Sequence, residues 1–312
     1  MVPARLGCPP SRDVRDRRVS RAIMDAVTTD VAVIGLGAMG LPIARNLARS
    51  GLGVQVAGRS PGALAEAAAA GAAPTPLAEL ASPVVLTVLP DVPELRSVLD
   101  AGLREALARR AGTTLVVMST SAPDAVRALG EELAADGTVV VDAPMSGGDI
   151  GATRGELTLF VGGDPAALEE LRPVFAPIAT TVTRFGPLGS GSLAKLANQI
   201  VVGGTIAALA EAAVLAERGG LDVDLLFDAL EGGLADSAVL RTKARRMVSR
   251  DYSIGARSRY QLKDLDFAGP GGARRTPADG PAAGPVRGLR RGRRRGPRPH
   301  GDRGAHSRLT SP

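Results

Sequence analysis

The stretch DVAVIGLGAMGLPIARNLARS, residues 30–50, decides the fold. Val31–Ile34 is short and wholly apolar, which reads as a buried strand, and the apolar spacing after residue 40 reads as a helix running through Ser50. Between them lies GxGxxG, made of Gly35, Leu36, Gly37, Ala38, Met39 and Gly40. Gly35 permits the tight turn, Gly37 lets a pyrophosphate approach the backbone, and Gly40 lets the helix pack closely on the sheet. The helix N-terminus then presents unpaired N–H groups to the phosphates. Strand, glycine loop and helix in this order predict a dinucleotide-binding unit.

Working outward, strand and helix patterns alternate. Strands are expected at 54–57, 84–88, 114–118, 139–142, 157–162 and 182–185, with helices between them. This predicts an α/β, Rossmann-like, doubly wound parallel sheet over residues 30–188. Ligands of such sheets sit beyond the carboxyl ends of the strands, so the residues at those ends are candidates. The second strand ends in Arg59 and Ser60 where an acidic residue would serve NAD, and a guanidinium suits a 2′-phosphate instead. NADP(H) is therefore expected in preference to NAD(H). Leu89 and Pro90, then Ser119 and Thr120, occupy two further strand ends. Ser146, Gly147 and Gly148 follow a third, and a hydroxyl beside two glycines can hold a carboxylate. Each of these loops also reads as ordinary turn and capping chemistry.

Residues 189–220 predict one long helix joining this sheet to an all-α second domain over 189–267. Leu196, Ile200, Gly203, Ala207, Ala210 and Val214 recur at spacings of four and three, which predicts a continuous buried stripe. Lys195, Asn198 and Gln199 share a polar face in the first turns. Lysine occurs only at 195, 243 and 263, and basic surface positions are otherwise arginine, so Lys195 is a candidate proton-transfer group as well as a candidate snorkelling lysine. Covering the stripe takes more than a small second domain, so a homo-oligomer, dimer or tetramer, is expected.

Aromatic residues make up only 2% of the chain, so the cores are expected to be built of Ala, Val and Leu. Cys8 is the lone cysteine, and both histidines, His300 and His306, lie near the end of the sequence. The region up to 267 thus lacks histidine for acid–base work, and lysine is the obvious substitute. The net charge of +6 is unevenly spread: residues 268–312 hold 11 Arg against 2 Asp, which leaves −3 for residues 1–267. Residues 1–29 read as a disordered or mis-assigned leader, with Met24 a candidate start. The 45 residues from 268 contain 10 Gly and 7 Pro and read as a disordered tail. An arginine-rich tail invites a nucleic-acid-binding reading, but no aromatic residue is interleaved for stacking, so nucleic acid is not the expected partner. No uninterrupted apolar run reaches bilayer length, since the run from Ile200 stops at Glu211. A soluble, cytoplasmic protein with no metal and no membrane contact is expected.

Four segments together resemble the β-hydroxyacid dehydrogenases. They are GLGAMG at 35–40, DAPMSGGDIGATRGELTLFVGG at 142–163, GSLAKLANQIVV at 191–202, and GGLADSAVL at 232–240 with KDLDFA at 263–268. The resemblance covers residues 24–267. It implies that Lys195 is the catalytic lysine, that Asn198 orients substrate, and that Ser146, Gly147 and Gly148 hold its carboxylate. It further implies that Ser119 and Thr120 border substrate and nicotinamide and that Lys263 closes over the site. The KLANQ and GGLADS segments resemble the branch that reduces tartronate semialdehyde to D-glycerate with NADPH; 3-hydroxyisobutyrate or another short β-hydroxyacid is the alternative substrate. A non-catalytic nucleotide- or nucleic-acid-binding protein using its arginine-rich tail is the alternative of another class. The family continues past the KDL segment with apolar-patterned helices, and the tail here does not. A reading-frame shift near codon 268 would produce this, and translation of the other frames tests it.

Overall fold

The computed structural model describes residues 31–251 and 258–269, all within one compact unit that ends at Arg274. The expected leader over 1–29, with Cys8 and Met24, lies outside the described residues, as does the tail beyond Gly269. Nine strands form one sheet: β1 (Val31–Ile34), β2 (Val54–Ala57), β3 (Ala73–Pro74), β4 (Val84–Thr87), β5 (Thr114–Val117), β6 (Val139–Asp142), β7 (Met145–Ser146), β8 (Leu157–Gly162) and β9 (Ala179–Gly186). Their order is β3-β2-β1-β4-β5-β6-β8-β7, with β9 pairing β8. From β3 to β6 every pairing is parallel, which is the expected doubly wound order. The sheet is mixed beyond that point: β8 joins β6 and β7 antiparallel and β9 parallel. The two-residue strands β3 and β7 carry no readable alternation and were not expected from sequence. β9 is also longer than the 182–185 expected, because β8 templates its whole length.

Seven helices flank or follow these strands up to residue 175: α1 (Gly40–Arg49), α2 (Pro61–Ala69), α3 (Val92–Val98), α4 (Arg104–Ala108), α5 (Pro123–Ala134), α6 (Gly148–Arg154) and α7 (Pro165–Phe175). Alternate residues of each buried strand feed opposite cores, as the pleat requires. Val31 and Val33 pack with Ile43, Leu47, Leu171 and Phe175 on one face. Ala32 and Ile34 pack with Leu95, Leu103, Leu107 and Leu129 on the other. Both cores are aliphatic, in keeping with the composition.

The long helix is α8 (Ser190–Arg218), followed by α9 (Val223–Leu230), α10 (Arg245–Val248) and α11 (Ser258–Ala268). No strand occurs among the described residues after Gly186. Between α9 and α11 the chain is helical over residues 238–248, with a π-type turn at Leu240–Ala244 leading into the short α10. The expected buried stripe on α8 is not observed. Leu196 is buried, but Ile200 is 54% and Val214 45% exposed. The buried positions are Gly191, Ser192, Lys195, Leu196, Gln199, Leu209 and Ala216. What decides burial is which side the rest of the chain covers: α11 and β8 lie on the polar face of the first turns, so that face is inside. A second correction concerns length. An 18-residue window of α8 has a mean hydropathy of 1.8, so this helix is long and apolar enough to cross a bilayer. Counting only unbroken apolar residues missed it, whereas a bilayer tolerates an occasional charge in such a segment. Core helices pass the same test.

Candidate active site

The glycine loop meets its steric requirements in two different ways. Gly35 has φ +94°, and a Cβ there would stand 2.5 Å from the Val88 carbonyl oxygen. A Cβ on Gly40 would overlap the Gly35 carbonyl oxygen. The fold itself therefore requires both. Gly37 is exposed, and a Cβ on it would meet nothing within 4 Å. The chain has no packing reason for a glycine there, and the open space fits a ligand approaching the backbone. α1 begins without a side-chain cap on Met39 and without an acidic residue in its first turn, so its N–H groups remain suited to phosphate. Leu36 and Met39 lean on the core, while Ala38 is exposed. Leu89 is half-buried and Pro90 exposed just past β4. These residues fit a dinucleotide.

Arg59 and Ser60 separate in their roles. The Arg59 side chain is 95% exposed and forms an ion pair with Glu94 at 3.2 Å, bridging from the end of β2 to the start of α3. The Ser60 hydroxyl accepts from the Ala63 N–H at 3.3 Å as the N-cap of α2. Its side chain is thus engaged in capping.

The other half of the site forms where α8 leaves the sheet. Asp142, at the end of β6, is fully buried and accepts from the Gly189 N–H at 2.8 Å and the Ser192 N–H at 2.5 Å. A carboxylate here satisfies donors at a helix start that otherwise have no partner. Burial pushes the Asp142 carboxyl up, and those backbone hydrogen bonds oppose the shift. Glycine at 162 and 191 allows the close approach: a Cβ on Gly162 would stand 2.8 Å from the Gly191 nitrogen. One turn further on, Lys195 is 7% exposed, its ammonium 6.0 Å from the centroid of the Phe160 ring on β8. Burial pulls its pKa down to about 8, partly countered by the negative charge of Asp264.

Asp264, on α11, is the hub of a polar network. Its Oδ2 accepts from Gln199 Nε2 at 2.8 Å, and its Oδ1 lies 3.0 Å from Lys263 Nζ as an ion pair without hydrogen-bond alignment. Gln199 Nε2 also donates to Gln261 Oε1 at 2.9 Å, and Asn198 Nδ2 donates to Gln199 Oε1 at 3.1 Å. Lys263 Nζ reaches back to the sheet, donating to the Thr120 carbonyl oxygen at 2.6 Å, and stands 4.8 Å from the Phe267 ring centroid. The strand end at Thr120 is thereby joined to Lys263, Asp264, Gln199 and Asn198. Ser119 is buried with its hydroxyl 3.2 Å from that of Ser121, so it pairs within its own loop.

Ser146 sits on β7 opposite Thr158, and Phe160 is two residues along β8 on the same face. This places Ser146 on the side of the sheet that carries the Lys195 contact. Gly147 and Gly148 have φ +120° and +63°, the left-handed conformations that turn the chain into α6. Three participants escaped the sequence reading. Asp264 stands inside the KDL segment, and its spacing of three from Gln261 put both on one face, but only its distant partners reveal that the face is inward. Asp142 and Phe160 were visible in the DAPMSGG to LTLFVGG segment without any signal for what they touch.

This geometry has close parallels among known proteins. Residues 30–186 match the NAD-binding domain of 6-phosphogluconate dehydrogenase, and residues 189–283 match the corresponding domain of NADP-dependent 3-hydroxyisobutyrate dehydrogenase. The second match runs past residue 267, where the resemblance was expected to stop. The chain is 36% identical to 2-hydroxy-3-oxopropionate reductase of Escherichia coli over 238 residues, covering 75% of this chain and 81% of that one. It is 35% identical to L-threonate dehydrogenase of Cupriavidus necator, covering 77% and 82%. Among solved structures, a 3-hydroxyisobutyrate dehydrogenase from Salmonella typhimurium superposes with a TM-score of 0.71 at 30% identity, over 76% of this chain and 84% of that one. With a glycine-rich nucleotide loop after β1, a buried lysine at the start of α8, and relatives that are hydroxyacid oxidoreductases, the chain belongs to the β-hydroxyacid dehydrogenase family and is a nicotinamide-dependent enzyme.

Proposed function

We propose that the protein reduces tartronate semialdehyde to D-glycerate with NADPH, and that Lys195 donates the proton. The observation that carries the reading is the position of Lys195, 7% exposed at the start of α8 with its ammonium 6.0 Å from the Phe160 ring centroid, where burial pulls its pKa down to about 8. A group poised there can give a proton in reduction and take one in the reverse oxidation. When bound, the reduced nicotinamide supplies hydride to the aldehyde carbon. Residues 35–40 hold its pyrophosphate, with Leu89, Pro90 and Thr120 along the strand ends. Lys195 neutralises the charge that develops on the aldehyde oxygen and protonates it, completing the primary alcohol. Asn198 holds the reacting oxygen or the neighbouring hydroxyl, and Ser146, Gly147 and Gly148 fix the carboxylate.

Identity to the Escherichia coli reductase supports this substrate; the relatives named for 3-hydroxyisobutyrate support the alternative of a short β-hydroxyacid. Arg59 supports the NADPH preference, since releasing Glu94 frees its guanidinium for a 2′-phosphate. A solved relative at 28% identity is a complex with NADP+. The exposed Ile200, Val201 and Leu215 on α8 support a homo-oligomer in which a second copy covers this face. Steady-state NADPH oxidation by the full chain, with tartronate semialdehyde and methylmalonate semialdehyde (the aldehyde that reduces to 3-hydroxyisobutyrate) compared, tests the substrate. Lys195→Ala should abolish turnover and leave NADPH binding intact; retained turnover refutes its role.

A further inference from the structure

Asp264 on α11 is ion-paired with one lysine of the site, Lys263, and hydrogen-bonded by Gln199, one turn along α8 from the other, Lys195. It is 5% exposed, and it is the acidic group whose field reaches Lys195. Several other charged groups on elements packed against α8 are engaged elsewhere. Asp142 of β6 is held by the Gly189 and Ser192 N–H groups. Arg184 of β9 donates to the Gly163 carbonyl oxygen, Arg127 of α5 pairs with Asp124, and Asp228 of α9 pairs with Arg245. Arg241 pairs with Asp236. β8 contributes the Phe160 ring and no charge.

We propose that Asp264 is a positioning residue of the reductase, one counter-charge shared by the ammoniums of Lys195 and Lys263, which also fixes Gln199 and so the first turns of α8. The inference rests on Lys195 being the proton donor. Reduction needs Lys195 protonated, and a carboxylate beside it favours the charged form. Lys263 works in the opposite sense, by neutralising part of that carboxylate. The two α11 residues thus push the protonation of Lys195 in opposite directions, and the balance sets where reduction fails as pH rises. Because Lys263 also donates to the Thr120 carbonyl oxygen, the same carboxylate steadies the contact between α11 and the strand end.

The test is the pH profile of kcat/KM for semialdehyde reduction by the full chain. Asp264→Asn should move the alkaline limb to lower pH, so that the activity retained above the wild-type midpoint drops severalfold relative to that at neutral pH. Lys263→Met should move the limb to higher pH, whatever it does to the absolute rate. Asp264→Glu should bring the limb back toward wild type. A limb position is independent of the fraction of folded enzyme, so a lower yield of Asp264→Asn does not change the reading. Should that variant yield no soluble protein, the Lys263→Met shift decides alone. A limb that stays put in either variant, or moves the same way in both, overturns the proposal. Turnover surviving in Lys195→Ala removes the parent reading instead; loss of turnover there with an unmoved limb in Asp264→Asn removes this inference alone.

Discussion

Replacing Lys195 with Met separates what the ammonium contributes to chemistry from what it costs the fold. Methionine keeps the unbranched stem beside Phe160 and removes the charge. The Lys195 pKa falls from its ordinary 10.5 to about 8 in the folded chain. At about 1.36 kcal/mol per unit, keeping the ammonium buried costs about 3 kcal/mol at neutral pH, net of the attraction to Asp264. At roughly 2–4 °C per kcal/mol, Lys195→Met should melt roughly 6–12 °C above wild type at pH 7, as an upper figure. The pH dependence has a definite sign. Below about 8 the lysine is charged in both states and the full cost is present; between about 8 and 10.5 only the unfolded chain binds the proton, so wild type gains stability as pH rises. Denaturant melts of both proteins without cofactor, at neutral pH and near pH 10, provide the comparison. The variant should be the more stable at neutral pH, the gap should narrow with rising pH, and turnover should be absent throughout. Equal stability at neutral pH, or a gap that does not narrow, refutes the claim that desolvation sets this pKa.

Gly37→Ala should melt like wild type yet bind NADPH more weakly by calorimetry, because its Cβ enters open space, whereas Gly40→Ala should destabilise the fold because its Cβ overlaps the Gly35 carbonyl. Arg59→Ala should weaken NADPH binding and leave NADH binding unchanged; equal loss for both cofactors would remove the 2′-phosphate reading. Asp142→Ala leaves two buried N–H groups at the start of α8 without their acceptor, at about 1–3 kcal/mol each, and should lower the urea midpoint by the equivalent of about 2–4 kcal/mol once the carboxylate's own desolvation is recovered.

Local steric demands were legible in the sequence; coverage by distant segments was not. The glycine loop could be read because the need for glycine at 35 and 40 arises from neighbours a few residues away and from one adjacent strand. Most strands were legible for the same reason, each being a short apolar run between turn signals. Lys195 stood out through the scarcity of lysine and through the family segments around it. Ser60 caps α2, and the sequence alone does not distinguish that role from a cofactor contact, because capping and ligand binding draw on the same residue type at the same strand-to-helix turn. Asp264 could not be read because its partner Gln199 lies 65 positions away, and the pairing depends on how α11 lies along α8. The misjudged stripe has the same cause, since periodicity identifies a face without saying what covers it.

The first turns of α8 invert the usual arrangement of a soluble helix. Ser192, Lys195 and Gln199 face inward, while Leu193, Ile200 and Val201 face outward. A helix left to its own preferences would rotate to bury the apolar side. Two constraints oppose that rotation at opposite ends of the polar face: Asp142 fixes the backbone at Gly189 and Ser192, and Asp264 holds the Gln199 side chain. Both are buried carboxylates, and neither would be retained for stability alone, because burying an ion is costly even when it is paired. What the two anchors secure is the orientation of the turn between them, which carries Lys195 toward the strand ends. The apolar side that this orientation leaves outward is then the surface for which a second copy is the proposed cover, so the demand for a partner and the placement of the lysine follow from one rotation of one helix.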